Sequence, residues 1–110
     1  MSYAVLVHGG SMMRRASLAQ AIRAATLLAV RVRVSSRAAE AAKCLADPSV
    51  VAVFLVDAPD DAESVRAAAT ARGLASRVYD LQPRDEGELV ISLTRDAIRG
   101  ASQGCEHPKG

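Results

Sequence analysis

The most apolar stretch of the chain is VVAVFLV, residues 50–56, which is followed directly by Asp57. A run this short without polar alternation predicts a strand covered on both faces, because a half-exposed strand alternates apolar and polar positions. Such strands belong to parallel sheets flanked by helices, where ligands and reactive groups lie just past the carboxyl ends of the strands. The pattern therefore places Asp57 where an α/β protein carries out its chemistry.

The rest of the chain repeats the order strand then helix. Strands are predicted at 3–7, 29–35, 50–56 and 76–81, and helices at 12–25, at 36–46, from 60 to Gly73, and from 85 to 99. Asp60 with Glu63, and Asp85 with Glu88, have the spacing of capping boxes. Gly73 and Gly100 are predicted to end their helices. Residues 1–100 then form one domain, and the polar residues 101–110 a flexible tail.

Strand two differs from the others because its valines alternate with arginines. The residues are Val30, Arg31, Val32, Arg33 and Val34. Such a strand lies at a sheet edge, whereas the wholly apolar strand three lies at the centre beside strand one. We therefore predict a three-layer, flavodoxin-like α/β sandwich with a parallel sheet in the order 2-1-3-4 and helices on both faces. His8 and Asp57 then leave neighbouring strands at the switch point of the sheet.

The last helix has more apolar residues than one buried face needs. Leu89, Leu93 and Ala97 share a face with Val90 at its margin, and Ile91 and Ile98 lie on another. The surplus favours a second contact, so we expect a homodimer or another protein partner.

Charge is distributed unevenly along the chain. Residues 1–46 carry a net charge of +6 and residues 47–110 one of −4. This could favour self-association or an acidic partner, although a solvated surface is the simpler interpretation. No apolar run approaches the roughly 20 residues of a membrane span. No signal peptide is apparent, so we expect a cytoplasmic protein with Cys44 and Cys105 as free thiols.

The loop His8-Gly9-Gly10-Ser11 opens the first helix, where backbone N–H groups and the helix dipole favour an anion. The two arginines that follow oppose the dipole, and a bound phosphate or carboxylate would relieve that conflict. The predicted anion site consists of Gly9, Gly10, Ser11, Arg14 and Arg15. The alternative is a glycine turn required only for geometry, with solvated arginines.

Other chemistry has weaker support in the sequence. Asp57 is a candidate phosphoacceptor or a carboxylate that caps the next loop, and His8 is an alternative phosphoacceptor. Cys105 and His107 supply two metal ligands at most, so no metal site is predicted. Spacing alone supports no Ser/His/Asp arrangement, no cofactor is indicated, and nucleic-acid binding lacks the stacking aromatics it would need.

Three stretches resemble a response-regulator receiver domain: VLVHGGSMMRRASLAQAI, VVAVFLVDAP and SRVYDLQPRDEGELVISLTRDAIRGAS. The resemblance implies a receiver-like fold with Asp57 at the phosphoacceptor position. Receivers carry an acidic pair after strand one that holds Mg²⁺, and here those positions are His8 and Gly9. Gln82 replaces the hydroxyl residue that ends strand four, and the fifth strand and helix are missing. The resemblance therefore implies a pseudo-receiver.

The layout of four strands and four helices is also similar to that of the IIB enzymes of the sugar phosphotransferase system. His8 stands where those enzymes carry a phosphorylated cysteine, Gly9-Gly10-Ser11 resembles their loop, and GLASRVYDL fits the approach to strand four. Our leading hypothesis is a non-catalytic, receiver-like signalling module that acts through protein–protein contact. The alternatives are a phosphotransfer protein using Asp57 or His8, or a small-anion sensor at the glycine loop.

Overall fold

The computed structural model describes residues 3–27, 29–85 and 87–106. Its elements, in chain order, are β1 (Tyr3–Gly9), α1 (Met12–Ala25), β2 (Val30–Ser35), α2 (Ala38–Leu45), β3 (Val50–Val56), α3 (Ala62–Ala71), a 3₁₀ turn (Ala75–Arg77), β4 (Val78–Leu81) and α4 (Gly87–Glu106). None of the helices in these ranges is long and apolar enough to cross a bilayer.

The four strands form one parallel sheet in the order β2-β1-β3-β4. This confirms the predicted winding, with the arginine-bearing β2 at an edge and β3 beside β1. The register places His8 level with Ser35 of β2 on one side and with Leu55 of β3 on the other. The carboxyl ends of β2, β1 and β3 therefore meet at one edge of the sheet.

Helices cover both faces of the sheet, so the molecule is a flavodoxin-like three-layer α/β sandwich. Val5 and Val7 of β1 pack with residues of α1 and α4, whereas Ala4 and Leu6 pack with residues of α2 and α3. All seven residues of β3 are buried. The unbroken apolar run of β3 follows from this, because neither of its faces meets water.

The start of α3 differs from the prediction. The helix begins at Ala62 with Asp61 as its N-cap residue, and no side chain makes a capping hydrogen bond there. The predicted capping box of Asp60 and Glu63 is therefore wrong. The Asp61 carboxylate is instead held by His8. At the other predicted box, Asp85 accepts a hydrogen bond from the backbone N–H of Gln82 at 2.7 Å.

One of the two predicted glycine stops is confirmed. Gly73 has a φ of +79° and directly follows Arg72, the C-cap of α3. Gly100 does not end α4, which continues to Glu106, so the predicted tail is helical over residues 101–106. Residues 107–110 lie outside the described residues. The helix continues because Ala101 packs against the core.

The buried face of α4 is rotated from the predicted one. Val90, Thr94 and Ala97 are buried, while Leu89 is 42% exposed. Ile98 packs against the same core rather than on a second face. Thr94 is accommodated in this apolar face because its hydroxyl donates to the Val90 carbonyl oxygen at 2.8 Å. A threonine whose hydroxyl is satisfied within its own helix can occupy a core position. A search for apolar residues in the sequence does not find such a position.

Arg72 fastens the loop between α2 and β3 at the amino-terminal edge of the sheet. Its Nη1 donates to the carbonyl oxygens of Leu45 and Asp47, the latter at 2.9 Å, and its Nη2 donates to that of Val50 at 3.1 Å. One guanidinium thus bonds three backbone carbonyl oxygens of this connection.

We expect Arg72→Lys to lower the free energy of unfolding by about 1–3 kcal/mol, because a single ammonium cannot reproduce the planar set of donors. Urea denaturation measures the effect. Arg84→Lys, in the exposed loop after β4, is the matched control and should leave the midpoint unchanged. Equal midpoints for the two variants would show that Arg72 does not fasten the loop.

Candidate functional site

The carboxyl edge of the sheet brings the ends of β1 and β3 together. His8 lies level with Leu55, and Asp57 directly follows β3. The two residues thus leave neighbouring parallel strands, as predicted. Their side chains diverge, however: the His8 imidazole bonds to Asp61 at the start of α3, whereas the Asp57 carboxylate faces Arg14 of α1. The edge therefore holds two separate polar clusters.

The first cluster is built around the fully buried imidazole of His8. Its Nδ1 lies 2.7 Å from Oγ of Ser35, at the end of β2, and its Nε2 lies 2.7 Å from Oδ1 of Asp61. His8 can reach both because β1 lies between β2 and β3. One side chain on β1 therefore ties the end of β2 to the start of α3.

The Asp61 carboxylate determines where the protons of this cluster lie. The hydrogen bond from His8 is the main cause that holds the pKa of Asp61 below its ordinary value of 3.8, with a smaller contribution from the backbone N–H of Ala38. An ionised carboxylate only accepts hydrogen bonds, so Nε2–H of His8 donates to it. In the neutral imidazole Nδ1 is then an acceptor, and the Ser35 hydroxyl donates to Nδ1.

Carboxylate, imidazole and hydroxyl in this order form the arrangement that activates a serine nucleophile. Here the serine is inaccessible, since Ser35 is only 3% exposed and His8 is 0% exposed. A nucleophile must reach its substrate, so the described arrangement orients side chains and does not attack an acyl group. The same two hydrogen bonds occupy both nitrogens of His8, which disfavours it as a phosphoacceptor.

Sequence reasoning missed Ser35 and Asp61 as partners of His8. A signal for Ser35 was present, because it ends strand two and the predicted order places that strand beside strand one. The register that makes Ser35 level with His8 was not readable from the sequence. No pattern in the sequence singled out Asp61, and the structure places it in a different cluster from Asp57.

The second cluster is the pair of Asp57 and Arg14. Oδ1 of Asp57 lies 3.7 Å from Nε of Arg14, and Nη2 of Arg14 donates to the carbonyl oxygen of Gln82 at 2.9 Å. Within the described residues, that Nε and that Oδ1 are buried atoms without a hydrogen-bond partner. Their attraction is therefore coulombic, and the guanidinium supplies a positive charge beside the candidate phosphoacceptor.

The glycine loop is packed tightly against the connection from β3 to α3. Gly9 and Gly10 have φ values of +95° and +69°. A Cβ on Gly9 would lie 2.8 Å from the carbonyl oxygen of Val56 and 2.9 Å from Cβ of Pro59, and one on Gly10 would lie 3.3 Å from Oδ2 of Asp57. The Asp57 carboxylate therefore lies over Gly10, at the place where an exogenous anion was predicted.

The remaining residues of the predicted anion site are engaged within the loop. Ser11 caps α1 by accepting a hydrogen bond from the N–H of Arg14 at 3.0 Å. Nη1 of Arg15 donates to the carbonyl oxygens of Gly9 and Gly10 at 3.1 and 2.6 Å. The arginines that oppose the helix dipole are thus balanced by loop carbonyls and by Asp57, and binding of an anion from solution stays a prediction.

The backbone after β3 is strained. Asp57 and Ala58 have φ values of 57° and 50°, in the left-handed region that costs a non-glycine residue about 1 kcal/mol or more. The N–H of Asp57 donates to the Leu81 carbonyl oxygen at 2.9 Å, which helps to hold this conformation. Backbone strain of this kind is concentrated at functional positions. In this conformation the Asp57 carboxylate faces Arg14.

Metal ligation has no support in the described part of the chain, where no group of three His, Cys, Asp or Glu side chains could hold an ion. His107, one of the two tail residues considered as ligands, lies outside the described residues.

Comparisons of the chain with protein-family models, with curated proteins and with solved structures found no match.

We expect Gly9→Ala to destabilise the protein by about 2–4 kcal/mol, because the new Cβ would combine left-handed strain with a clash against Val56 and Pro59. Gly73→Ala is the matched control, since Gly73 also has a positive φ but nothing among the described residues lies within 4 Å of its added Cβ. It should cost only the strain of about 1 kcal/mol. Chemical denaturation compares the variants, and equal losses would refute the tight packing of the two loops.

We expect the hydrogen bond between His8 and Asp61 to make stability dependent on acid pH. Because the pKa of Asp61 is lowered in the folded state, its contribution is complete above the ordinary pKa and is lost as the pH falls through the folded value. Asp61→Asn should therefore destabilise by about 1 kcal/mol at neutral pH and by less at acid pH. Denaturation midpoints measured across the acid range test this, and a difference independent of pH would contradict it.

Proposed function

We propose that the protein is a non-catalytic, receiver-like regulatory module that acts through contact with another protein. The observation that carries the proposal is the pairing of Asp57 with Arg14 across 3.7 Å. Asp57, which stands at the phosphoacceptor position of the receiver-like pattern, is paired with the positively charged side chain of Arg14. The fold is retained, while the charges at its switch point are balanced internally.

The chemistry of phosphorylation supports this proposal. Transfer of a phosphoryl group to a carboxylate relies on a hard cation, held by further carboxylates, that neutralises the phosphoryl oxygens. The positions that would supply those carboxylates, at the end of β1, are His8, which is buried and bonded at both nitrogens, and Gly9, which has no side chain. The positive charge beside Asp57 belongs to the Arg14 side chain and is therefore always present, whereas a metal ion would bind and dissociate.

The exposed apolar side chains beside this edge support an action through contact. Met12 and Met13, at the start of α1, are 75% and 83% exposed. Flexible methionines exposed side by side are suited to contact with a protein surface. A partner that docks at this edge would meet both methionines and the Asp57–Arg14 pair.

A small-anion sensor remains the second candidate, because Nε of Arg14 has no hydrogen-bond partner among the described residues. An anion that reached Nε would have to displace the Asp57 carboxylate. In that case phosphate or sulfate would raise the melting temperature of the native chain, and Arg14→Ala would abolish the shift.

We expect no phosphoryl adduct when the full chain is incubated with acetyl phosphate and Mg²⁺, because the site lacks the carboxylates that would hold the cation. Intact-mass analysis under non-acidic conditions provides the measurement. Asp57→Asn is the matched control, and a conventional receiver domain in the same reaction verifies the donor. An adduct on the native chain that is absent from Asp57→Asn would overturn the non-catalytic proposal.

A further inference from the structure

Strand β2 forms an open edge of the sheet. Within the described residues it pairs with β1 alone, in register over its whole length and without a bulge. Its sequence, VRVRVS, contains no proline. The other edge strand, β4, is shorter, with 4 residues against 6. The outer side of β2 therefore offers the longer row of backbone groups to which a further strand could add.

The register shows which backbone groups of β2 face outward. The N–H of Ala4 donates to the carbonyl oxygen of Ser49, which precedes β3, at 2.8 Å. Backbone groups alternate between the two sides of a strand, so those of Val5 face β2, where Val5 lies level with Val32. In a parallel ladder Val5 then bonds to the two neighbours of Val32. The N–H and C=O of Val32 itself face away from β1, and the same holds for every second residue of the strand.

Arg23 of α1 shows that a donor can reach this outer edge. Its Nη2 donates to the carbonyl oxygen of Val32 at 3.3 Å, a group that the ladder with β1 leaves unused. The contact is at the long end of the range for such bonds, and Arg23 is exposed, so an incoming strand can displace it. Val34, two residues further along, is 49% exposed. This end of the edge is therefore open.

Basic side chains predominate along β2. Arg31 and Arg33 lie on the opposite face of the strand from its valines, and their side chains are 54% and 40% exposed. Both contact one carboxylate, that of Asp47, at 3.3 and 3.7 Å. The remaining charged residues on or next to the strand are Arg23, Arg37 and Glu40. Basic residues therefore outnumber acidic ones at this edge, even with Asp47 and Glu40 included.

We propose that the outer edge of β2 binds an acidic, extended segment of another protein, which adds to the sheet as a further strand. Carboxylates of this segment lie level with Arg31 and Arg33, and apolar side chains lie level with the valines. Both hydrogen bonds of Arg31 use Nη2, so its Nη1 and Nε are the donors for such a carboxylate. The proposal rests on the contact function proposed above, to which it adds a surface and a class of partner.

A second copy of this chain is a poor occupant of the same edge. Two β2 strands related by a two-fold axis at Val32 would place Arg31 opposite the partner's Arg33. An axis at Arg33 would place the two Arg33 side chains opposite each other. Like charges directly opposite in a sheet repel. The arginines therefore act against self-pairing and favour an acidic strand.

Fluorescence anisotropy with labelled synthetic peptides tests the proposal on the full chain. The acidic probe is a short peptide in which valine and glutamate alternate, and the basic probe has lysine in place of glutamate. We expect saturable binding of the acidic probe. The basic probe should bind at least about tenfold more weakly, because it meets Arg31 and Arg33 with like charge.

A proline variant tests whether the backbone of β2 takes part. Val34→Pro removes an N–H that faces away from β1, so the ladder with β1 stays intact. It should weaken binding of the acidic probe at least about tenfold. The matched control Val34→Ala keeps the N–H and should retain most of the affinity. Arg31→Gln should also weaken binding, whereas Arg84→Gln, an equal loss of charge in the exposed loop after β4, should not.

Thermal melts verify that each variant is folded. If Val34→Pro does not fold, hydrogen exchange of the native chain replaces it: the acidic probe should slow exchange of the Val34 amide, and an unchanged rate would overturn the proposal. Absence of saturable binding, equal binding of the two probes, or equal affinities of Val34→Pro and Val34→Ala would also overturn it.

Sedimentation of the native chain without peptide tests the other occupant. A dimer that Val34→Pro converts to a monomer would show that a second copy covers the edge, and the proposal would be wrong. None of these measurements depends on whether Asp57 is phosphorylated. Failure of this proposal is therefore distinguishable from failure of the non-catalytic function proposed above.

Discussion

The position of β1, between β2 and β3 and under helices on both faces, is the constraint on which the rest of the structure depends. Side chains in the middle of β1 and β3 belong to two apolar clusters, because both faces of the sheet are covered. Polar groups are therefore confined to the ends of the strands. His8 and Asp57 lie at the carboxyl ends of the strands. The carbonyl oxygens to which Arg72 donates lie at the amino ends.

At the carboxyl edge the two polar clusters are paired within the chain, the first by hydrogen bonds and the second by charge alone. His8 is fully buried, and an imidazole without partners there would lose the hydrogen bonds it makes to water. Ser35 and Asp61 provide both of them. The Asp57 carboxylate and the Arg14 guanidinium balance each other's charge without a hydrogen bond between those facing atoms. This internal pairing is the physical basis for our proposal that the edge acts through contact.

The tight approach of the two loops depends on glycine. Gly9 and Gly10 let the β1–α1 loop come against Val56 and Pro59 at distances that a Cβ would not tolerate. The strained backbone at Asp57 and Ala58 then directs the carboxylate to Arg14 instead of to solvent. Gly9 and Gly10, two members of the predicted anion site, thus serve here to bring two segments of the same chain together. Arg15, bonded to the carbonyls of that loop, strengthens the arrangement.

From the amino-acid sequence we could predict the α/β class, the strand order, the bounds of α1 and β3, and the emergence of His8 and Asp57 from neighbouring strands. These features follow from apolar periodicity, which records how many faces of an element are buried. The hydrogen bonds of the His8 imidazole to Ser35 and Asp61, 27 and 53 positions away, depend on how the folded chain packs. The same packing sets the rotation of α4, which buries Thr94 and exposes Leu89. Periodicity is a local property, whereas register, helix rotation and hydrogen-bond partners depend on how distant segments pack.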